Sequence, residues 1–200
     1  MIYSTAYYKA IRPVVRPPLM EFSAEYIRLS KRTSAEAGRY NVKRVPYLAD
    51  IAEALTDKET EKIVIMKAAQ MGATQLVMNY IAHIVVYDPA PILYVLPTLE
   101  VAKKVSKQRI QAMIDSSPIL AGRFRDHRER DSGNTLFTKE FTNGILIIAG
   151  ANSPAGLRSM PIRYLIADEI DGYPESAGDE GSPLELALKR TTTYRNRKVV

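Results

Sequence analysis

The sequence predicts an α/β domain in which a mostly parallel sheet is flanked by helices, and three observations carry that prediction. Arg163-Tyr164-Leu165-Ile166-Ala167-Asp168-Glu169 is a short apolar run that stops abruptly at two acids. A run this apolar fits a strand buried on both faces of a parallel sheet. Ile63-Val64-Ile65-Met66 is a second strand candidate, and it passes through a small-residue loop, Lys67 to Thr74, into a helical stretch from Gln75 to about Val86. Pro91-Ile92-Leu93-Tyr94-Val95-Leu96 is a third. At 200 residues and 46% hydrophobic content, the chain can bury one core.

The remaining elements follow in order. Residues 1–20 hold two proline clusters and no periodicity, so they read as an irregular lead. Ser23 to about Lys31 is expected to form a short helix. Pro46 to Leu55 places proline at a first helical position, with apolar residues at helical spacing behind it. Residues 99–114 read as a helix whose Lys103, Lys104, Lys107 and Arg109 suit a solvated face. Thr135 to Phe141, then Asn143-Gly144, then Ile145 to Ala149 is a hairpin signal, because Asn-Gly suits a tight turn. Ser182-Pro183-Leu184-Glu185 has the form of a capping box opening a helix towards Thr193. Lys198-Val199-Val200 looks like a strand just beginning, which suggests a domain truncated at its C-terminal side.

Chemistry concentrates at two of these places. Two carboxylates closing a buried strand lie at the edge of a ligand crevice. In nucleotide hydrolases the first such acid holds Mg²⁺ through water and the second activates the attacking water. A strand that simply ends in polar residues is the alternative. The loop Lys67-Ala68-Ala69-Gln70-Met71-Gly72-Ala73-Thr74 has the strand–loop–helix context of a phosphate cradle, where backbone N–H groups and a helix N-terminus attract phosphate oxygens. Gly72 permits close backbone approach, and Thr74 sits where a Mg²⁺-ligating hydroxyl belongs, or serves as a helix cap. Ala73 stands where the usual lysine would be. Lys67, at the front of the loop, can swing its charge towards phosphates on a flexible stem, or remain a solvated lysine.

Composition narrows the alternatives. No apolar run approaches the roughly 20 residues of a membrane helix, and prolines and arginines interrupt any signal-peptide core. The absence of cysteine excludes disulfides and thiolate metal sites and suits an intracellular protein. His83 and His127 are isolated, so a histidine metal site has little support. Residues 1–45 carry nine Lys/Arg against three Glu, an excess of six that equals the net charge of the whole chain. The expected organisation is a basic arm over 1–45, able to contact a polyanion such as DNA or simply to remain solvated, followed by a nucleotide-binding domain over 46–200.

Several segments together resemble the ATPase domain of the large terminase subunit of tailed bacteriophages, in the lambda-like large-subunit family (terminase GpA). They are Val45-Pro46-Tyr47-Leu48, Ile65 to Thr74, Tyr94-Val95-Leu96-Pro97-Thr98, Ala151 to Ser159 and Asp168-Glu169-Ile170-Asp171-Gly172-Tyr173-Pro174. The displaced lysine at the front of the loop is itself typical of that family. The resemblance implies a RecA-like P-loop NTPase fold with a β-hairpin insertion, and an ATP-driven motor that moves double-stranded viral DNA into a procapsid. The implied partners are a small subunit, a portal ring and further copies of the chain, in the cytoplasm of a bacterial host and without a membrane.

Carried over by position, Lys67, Ala68, Ala69, Gln70, Met71, Gly72, Ala73 and Thr74 form the Walker A loop, and Tyr47 falls in the adenine-contacting segment. Asp168 is the Walker B residue that holds Mg²⁺ with Thr74, and Glu169 is the catalytic base. Arg158 resembles the arginine that terminases insert into a neighbouring subunit's site, where a permanent guanidinium charge bridges developing phosphoryl charge. A loop arginine paired with a nearby acid is its other reading. Family members usually continue into a coupling motif and a nuclease domain, so the expectation here is an incomplete ATPase domain without nuclease activity. Two alternatives remain beside it: another RecA-like translocase or helicase, or a non-hydrolysing prophage remnant acting as a DNA-binding or assembly module.

Overall fold

A computed structural model of the chain describes residues 15–32, 34–124, 135–158 and 160–200. Lys9 and Arg12 of the basic segment, His127 and Ser159 lie outside the described residues, as does most of the irregular lead. The organising element is a five-stranded sheet in the order β4-β5-β3-β6-β7. Its strands are β3 (Ile92–Leu96), β4 (Thr138–Phe141), β5 (Gly144–Gly150), β6 (Tyr164–Ala167) and β7 (Lys198–Val199). β3 lies at the centre, parallel to β5 on one side and to β6 on the other, and β7 continues the parallel set. Only β4, joined to β5 by a hairpin, runs antiparallel.

Strand side chains alternate between the two faces, and two clusters of buried residues result. Tyr94, Leu96, Ile148 and Ile166 belong to one, with the helices α1 (Leu19–Tyr26), α2 (Ala49–Thr56), α3 (Ala73–Tyr87), α4 (Leu99–Val105) and α5 (Gln111–Ser116). Leu93, Val95, Ile147, Ala149 and Leu165 belong to the other, with α6 (Pro154–Leu157) and α7 (Pro183–Leu188). Burial on both faces is why these strands read as unbroken apolar runs rather than alternating ones. α3 is buried almost all round, from Leu76 to Val85. His83 packs there between the rings of Phe22 and Tyr87, and its Nε2 bonds the Pro17 carbonyl at 3.0 Å, which makes it a structural residue.

Some sequence expectations need correction. The first helix runs from Leu19 to Tyr26, not from Ser23 to Lys31. Pro18 precedes its first turn, Leu19 and Phe22 turn into the core, and Ile27 is already extended. The chain then pairs Arg28–Leu29 (β1) with Gly38–Arg39 (β2) in a small antiparallel sheet. Residues of the segment expected as an arm therefore enter the main core: Leu19, Phe22, Ile27 and Tyr40 are all buried in it.

Ile63 to Met66 is not a regular strand. Ile63 N–H donates to Val199 at 2.9 Å and Lys62 bridges Val199, but β7 offers no longer edge. Beyond Ile63 the segment forms no ladder, and Val64 and Met66 are exposed. The helix over 99–114 is interrupted by a five-residue π-helical stretch, Ser106–Ile110, between α4 and α5. In the hairpin the loop residues are Thr142 and Asn143, with Asn143 left-handed at φ 62°, and Gly144 already pairs with Phe141. A Cβ on Gly144 would collide with the Phe141 ring, so glycine is needed there for close packing, not for the turn.

Helix α7 behaves as expected. Pro183 opens it, and the Ser182 side chain accepts from the Glu185 N–H at 3.5 Å. Among the described residues no helix is long and apolar enough to cross a membrane.

Candidate nucleotide site

The parallel strands β3, β5 and β6 deliver their carboxyl ends to one edge of the sheet, the position where open α/β sheets bind ligands. β6 ends at Ala167, and the Asp168 N–H is tied back to the Val95 carbonyl at 3.0 Å. The next residue, Glu169, is left-handed (φ 56°, ψ 48°), which turns the chain sharply into a short 3₁₀ turn. The two acids consequently diverge. Asp168 is buried at 6% exposure, whereas Glu169 is exposed.

The loop at residues 67–72 leads into α3. Gly72 immediately precedes the helix at φ 78°, a left-handed conformation that costs glycine nothing. Gln70 is left-handed as well, at φ 59°. Two of the three left-handed non-glycine residues among the described residues, Gln70 and Glu169, thus line one cavity. Uncommon backbone of this kind gathers at functional sites.

That cavity holds about 700 Å³. Residues 67–75 line it, with Glu169 and with residues contributed by β1 and by the π-helical segment, among them Arg28 and Arg109. Lys67 to Thr74 and Glu169 therefore meet around a single space. Lys67 links this space to the buried acid: its ammonium lies 3.3 Å from Asp168 Oδ1. On the other carboxylate oxygen, the Tyr94 hydroxyl donates a hydrogen bond at 3.1 Å. Burial, and then the Asp168 charge, raise the Tyr94 pKa well above its ordinary value, so the phenol remains a donor. Tyr173 packs nearby and donates to the Val95 carbonyl at 2.9 Å, its own pKa raised by burial and by Asp168 and Glu169.

Three expected site residues lie outside the cavity lining: Tyr47, Arg158 and Asp168, the last of which is reached through Lys67. Tyr47 is half-exposed, and its hydroxyl donates to the Met71 carbonyl at 3.1 Å, which tethers the ring to the loop ahead of α3. Arg158 follows α6 and is ion-paired with Glu180. Sequence reasoning missed Tyr94 and Arg109. A single hydroxyl inside the apolar run of β3 was a signal for Tyr94. Arg109 was submerged among the lysines of its helix.

A mostly parallel central sheet flanked by helices, its carboxyl edge meeting a glycine-bearing loop and the helix that loop opens, defines the class: a mixed α/β domain that presents a ligand crevice at the strand ends. Within that class, the chain belongs to the family of the phage terminase large subunit gpA, ATPase domain, whose family model matches residues 34–200. The large terminase subunit of Escherichia phage lambda is 23% identical over 184 residues, which is 90% of this chain and 28% of that protein. That of Enterobacteria phage P21 is 24% identical over 176 residues, 86% of this chain and 26% of that protein. The chain therefore spans about a quarter of the length of these relatives. The crystal structure of the HK97 bacteriophage large terminase superposes with a TM-score of 0.67 at 12% identity, over 91% of this chain and 36% of that one.

Proposed function

We propose that this chain binds Mg²⁺·ATP in the cavity beside Lys67 to Thr74 and hydrolyses it to drive double-stranded viral DNA into procapsids. The observation that carries the proposal is the 3.3 Å approach of Lys67 to Asp168, which joins the phosphate-type loop to the acidic strand end. Family membership supports it independently.

In this scheme the N–H groups of residues 68–73 and the N-terminus of α3 cradle the phosphates, and Lys67 supplies the loop's only side-chain cation. Asp168 and the Thr74 hydroxyl would hold Mg²⁺. A single carboxylate and a hydroxyl suit this ion, which keeps several waters and takes only one or two protein carboxylates besides phosphate oxygens. When bound, Mg²⁺ neutralises charge developing on the transferred phosphoryl group. Glu169, exposed on the cavity wall, accepts a proton from the attacking water. Tyr47 lies beside the base, and Arg158 serves a neighbouring copy in a ring. A small subunit and a portal are the further partners, in the host cytoplasm.

Calorimetric titration of ATP, and turnover measured with and without duplex DNA, test the scheme. Mg²⁺-dependent binding with DNA-stimulated turnover is expected. DNA binding with no nucleotide binding would instead identify a non-hydrolysing assembly module.

A further inference from the structure

Arg109 is a permanently charged side chain in the nucleotide cavity with no role in the scheme above. Of the four cations on the helix over 99–114, it alone lines the cavity; Lys103, Lys104 and Lys107 do not. It sits in the π-helical stretch Ser106–Ile110. Such stretches insert an extra residue per turn, re-aim the side chains that follow, and occur often at functional sites. The Ser106 hydroxyl at the start of this stretch donates to the Leu136 carbonyl, which anchors the irregular turn.

The cavity's three cations are differently engaged. Lys67 contacts Asp168, and the Arg28 guanidinium donates to the carbonyls of Glu25 and Ile27. Arg109 is exposed and makes no hydrogen bond or ion pair with any described residue. A guanidinium without a hydrogen bond or ion pair among the described residues, in the same cavity as the residue 67–74 loop, matches the requirement for bidentate contact with phosphate. Its place within the cavity is also informative. Its positive charge acts on the Tyr94 phenol, which bonds Asp168, and it shares the lining with Glu169. Both acids belong, on the proposed function, to the reacting end of the nucleotide.

We infer that Arg109 contacts the terminal phosphate of ATP from within its own chain, so that the site distinguishes ATP from ADP without a neighbouring subunit. The inference rests on the nucleotide assignment, and it differs from the role given to Arg158, which acts between chains.

The test is calorimetric titration of Mg²⁺·ATP and Mg²⁺·ADP into the wild-type chain, Arg109→Ala and Arg109→Lys. An exposed helix position tolerates both substitutions without loss of fold. Arg109→Ala should weaken ATP binding by about ten- to hundredfold, the worth of a hydrogen bond to a charged group, and leave ADP binding within about twofold. Arg109→Lys, which keeps the charge and loses the fork, should fall between. Equal affinities in Arg109→Ala and wild type overturn the assignment alone, as does equal weakening for ATP and ADP. A wild-type chain that binds neither nucleotide overturns the nucleotide reading and this assignment with it.

Discussion

The ammonium of Lys67 lies 3.3 Å from Asp168 Oδ1, while the Tyr94 hydroxyl holds Oδ2 at 3.1 Å. The buried carboxylate is thereby partnered at both oxygens, one by an ammonium and the other by a buried phenol. On the proposed function, phosphate entering the loop would offer Lys67 a second anion and release Oδ1, while the Tyr94 bond would keep the carboxylate oriented. On that reading, nucleotide binding and exposure of the acid would be coupled through a single side chain, Lys67.

Lys67→Ala is therefore expected to weaken Mg²⁺·ATP binding by about ten- to hundredfold, since it removes the loop's only lysine and a charge-assisted interaction worth roughly 1.5–3 kcal/mol. Both Lys67→Ala and Tyr94→Phe leave one oxygen of the buried Asp168 carboxylate without its partner, so both should lower thermal stability, whereas nucleotide affinity should fall more in Lys67→Ala. Calorimetry and thermal unfolding of the two variants check this together. Unchanged affinity in Lys67→Ala would sink the role assigned to the displaced lysine.

What the sequence made legible follows from how local each signal is. β3 and β6 were readable because strands buried on both faces must be apolar throughout, and the polar break at Asp168 marks where β6 leaves the core. The loop was readable from Gly72 and the helix it opens. Ile63 to Met66 was misjudged because its apolar pattern says nothing about its neighbour, and pairing with Val199 ends at Ile63. Asn143-Gly144 marked the right hairpin for a partly wrong reason, since Gly144 is required by the Phe141 ring packed over it. The surroundings of Tyr94 and Arg109 depend on register between distant segments, which no local pattern encodes.

The far end of the sheet carries a pH-dependent tie. Arg163 clamps Asp88 through both guanidinium nitrogens at 2.9 and 2.8 Å, and Tyr164 and Arg16 add bonds at 2.8 and 3.0 Å. Burial alone would raise the Asp88 carboxyl, but the bonds from Arg163 and Tyr164 outweigh it and hold the pKa below the ordinary value. A depressed folded pKa means that the contribution is complete above the ordinary carboxylate range and is lost as pH falls through the folded value. Asp88→Asn should therefore cost about 1–3 kcal/mol at neutral pH, with the gap to wild type closing below about pH 4. Denaturant melts across that range check it, and a gap constant down to the acid limit would exclude the mechanism.

DNA binding is expected from the exposed cations of the first 45 residues. Because Leu19, Phe22 and Ile27 are core residues, deleting the whole segment would disturb the fold. Charge removal at Lys31, Arg32, Arg39 and Lys43, all exposed, is the cleaner perturbation. Arg44 is left in place because it pairs with Glu36 at 2.6 Å. The slope of log affinity against log salt should fall by about one for each phosphate-binding cation removed, with little change in sequence preference. Duplex binding by the quadruple Gln variant that keeps the wild-type slope would remove this surface from consideration.

Arg158 is half-exposed and held by Glu180 of its own chain. To reach a neighbour's nucleotide it must exchange that acid for phosphate, an exchange that an assembled ring can drive and an isolated chain cannot. An arginine supplied in trans is worth about 10³–10⁵ in rate, so the monomer should turn over very slowly even with Glu169 intact. Mixing Arg158→Ala chains with Glu169→Gln chains should restore part of the activity, because wherever an Arg158→Ala chain supplies the site and a Glu169→Gln chain the arginine, an intact base meets an intact arginine. Glu180→Gln, by freeing Arg158, should raise assembly-dependent turnover without altering nucleotide affinity of the monomer. If the intact monomer hydrolyses ATP quickly, and neither mixing nor Glu180→Gln changes the rate, then the ion pair with Glu180 is the whole of what Arg158 does.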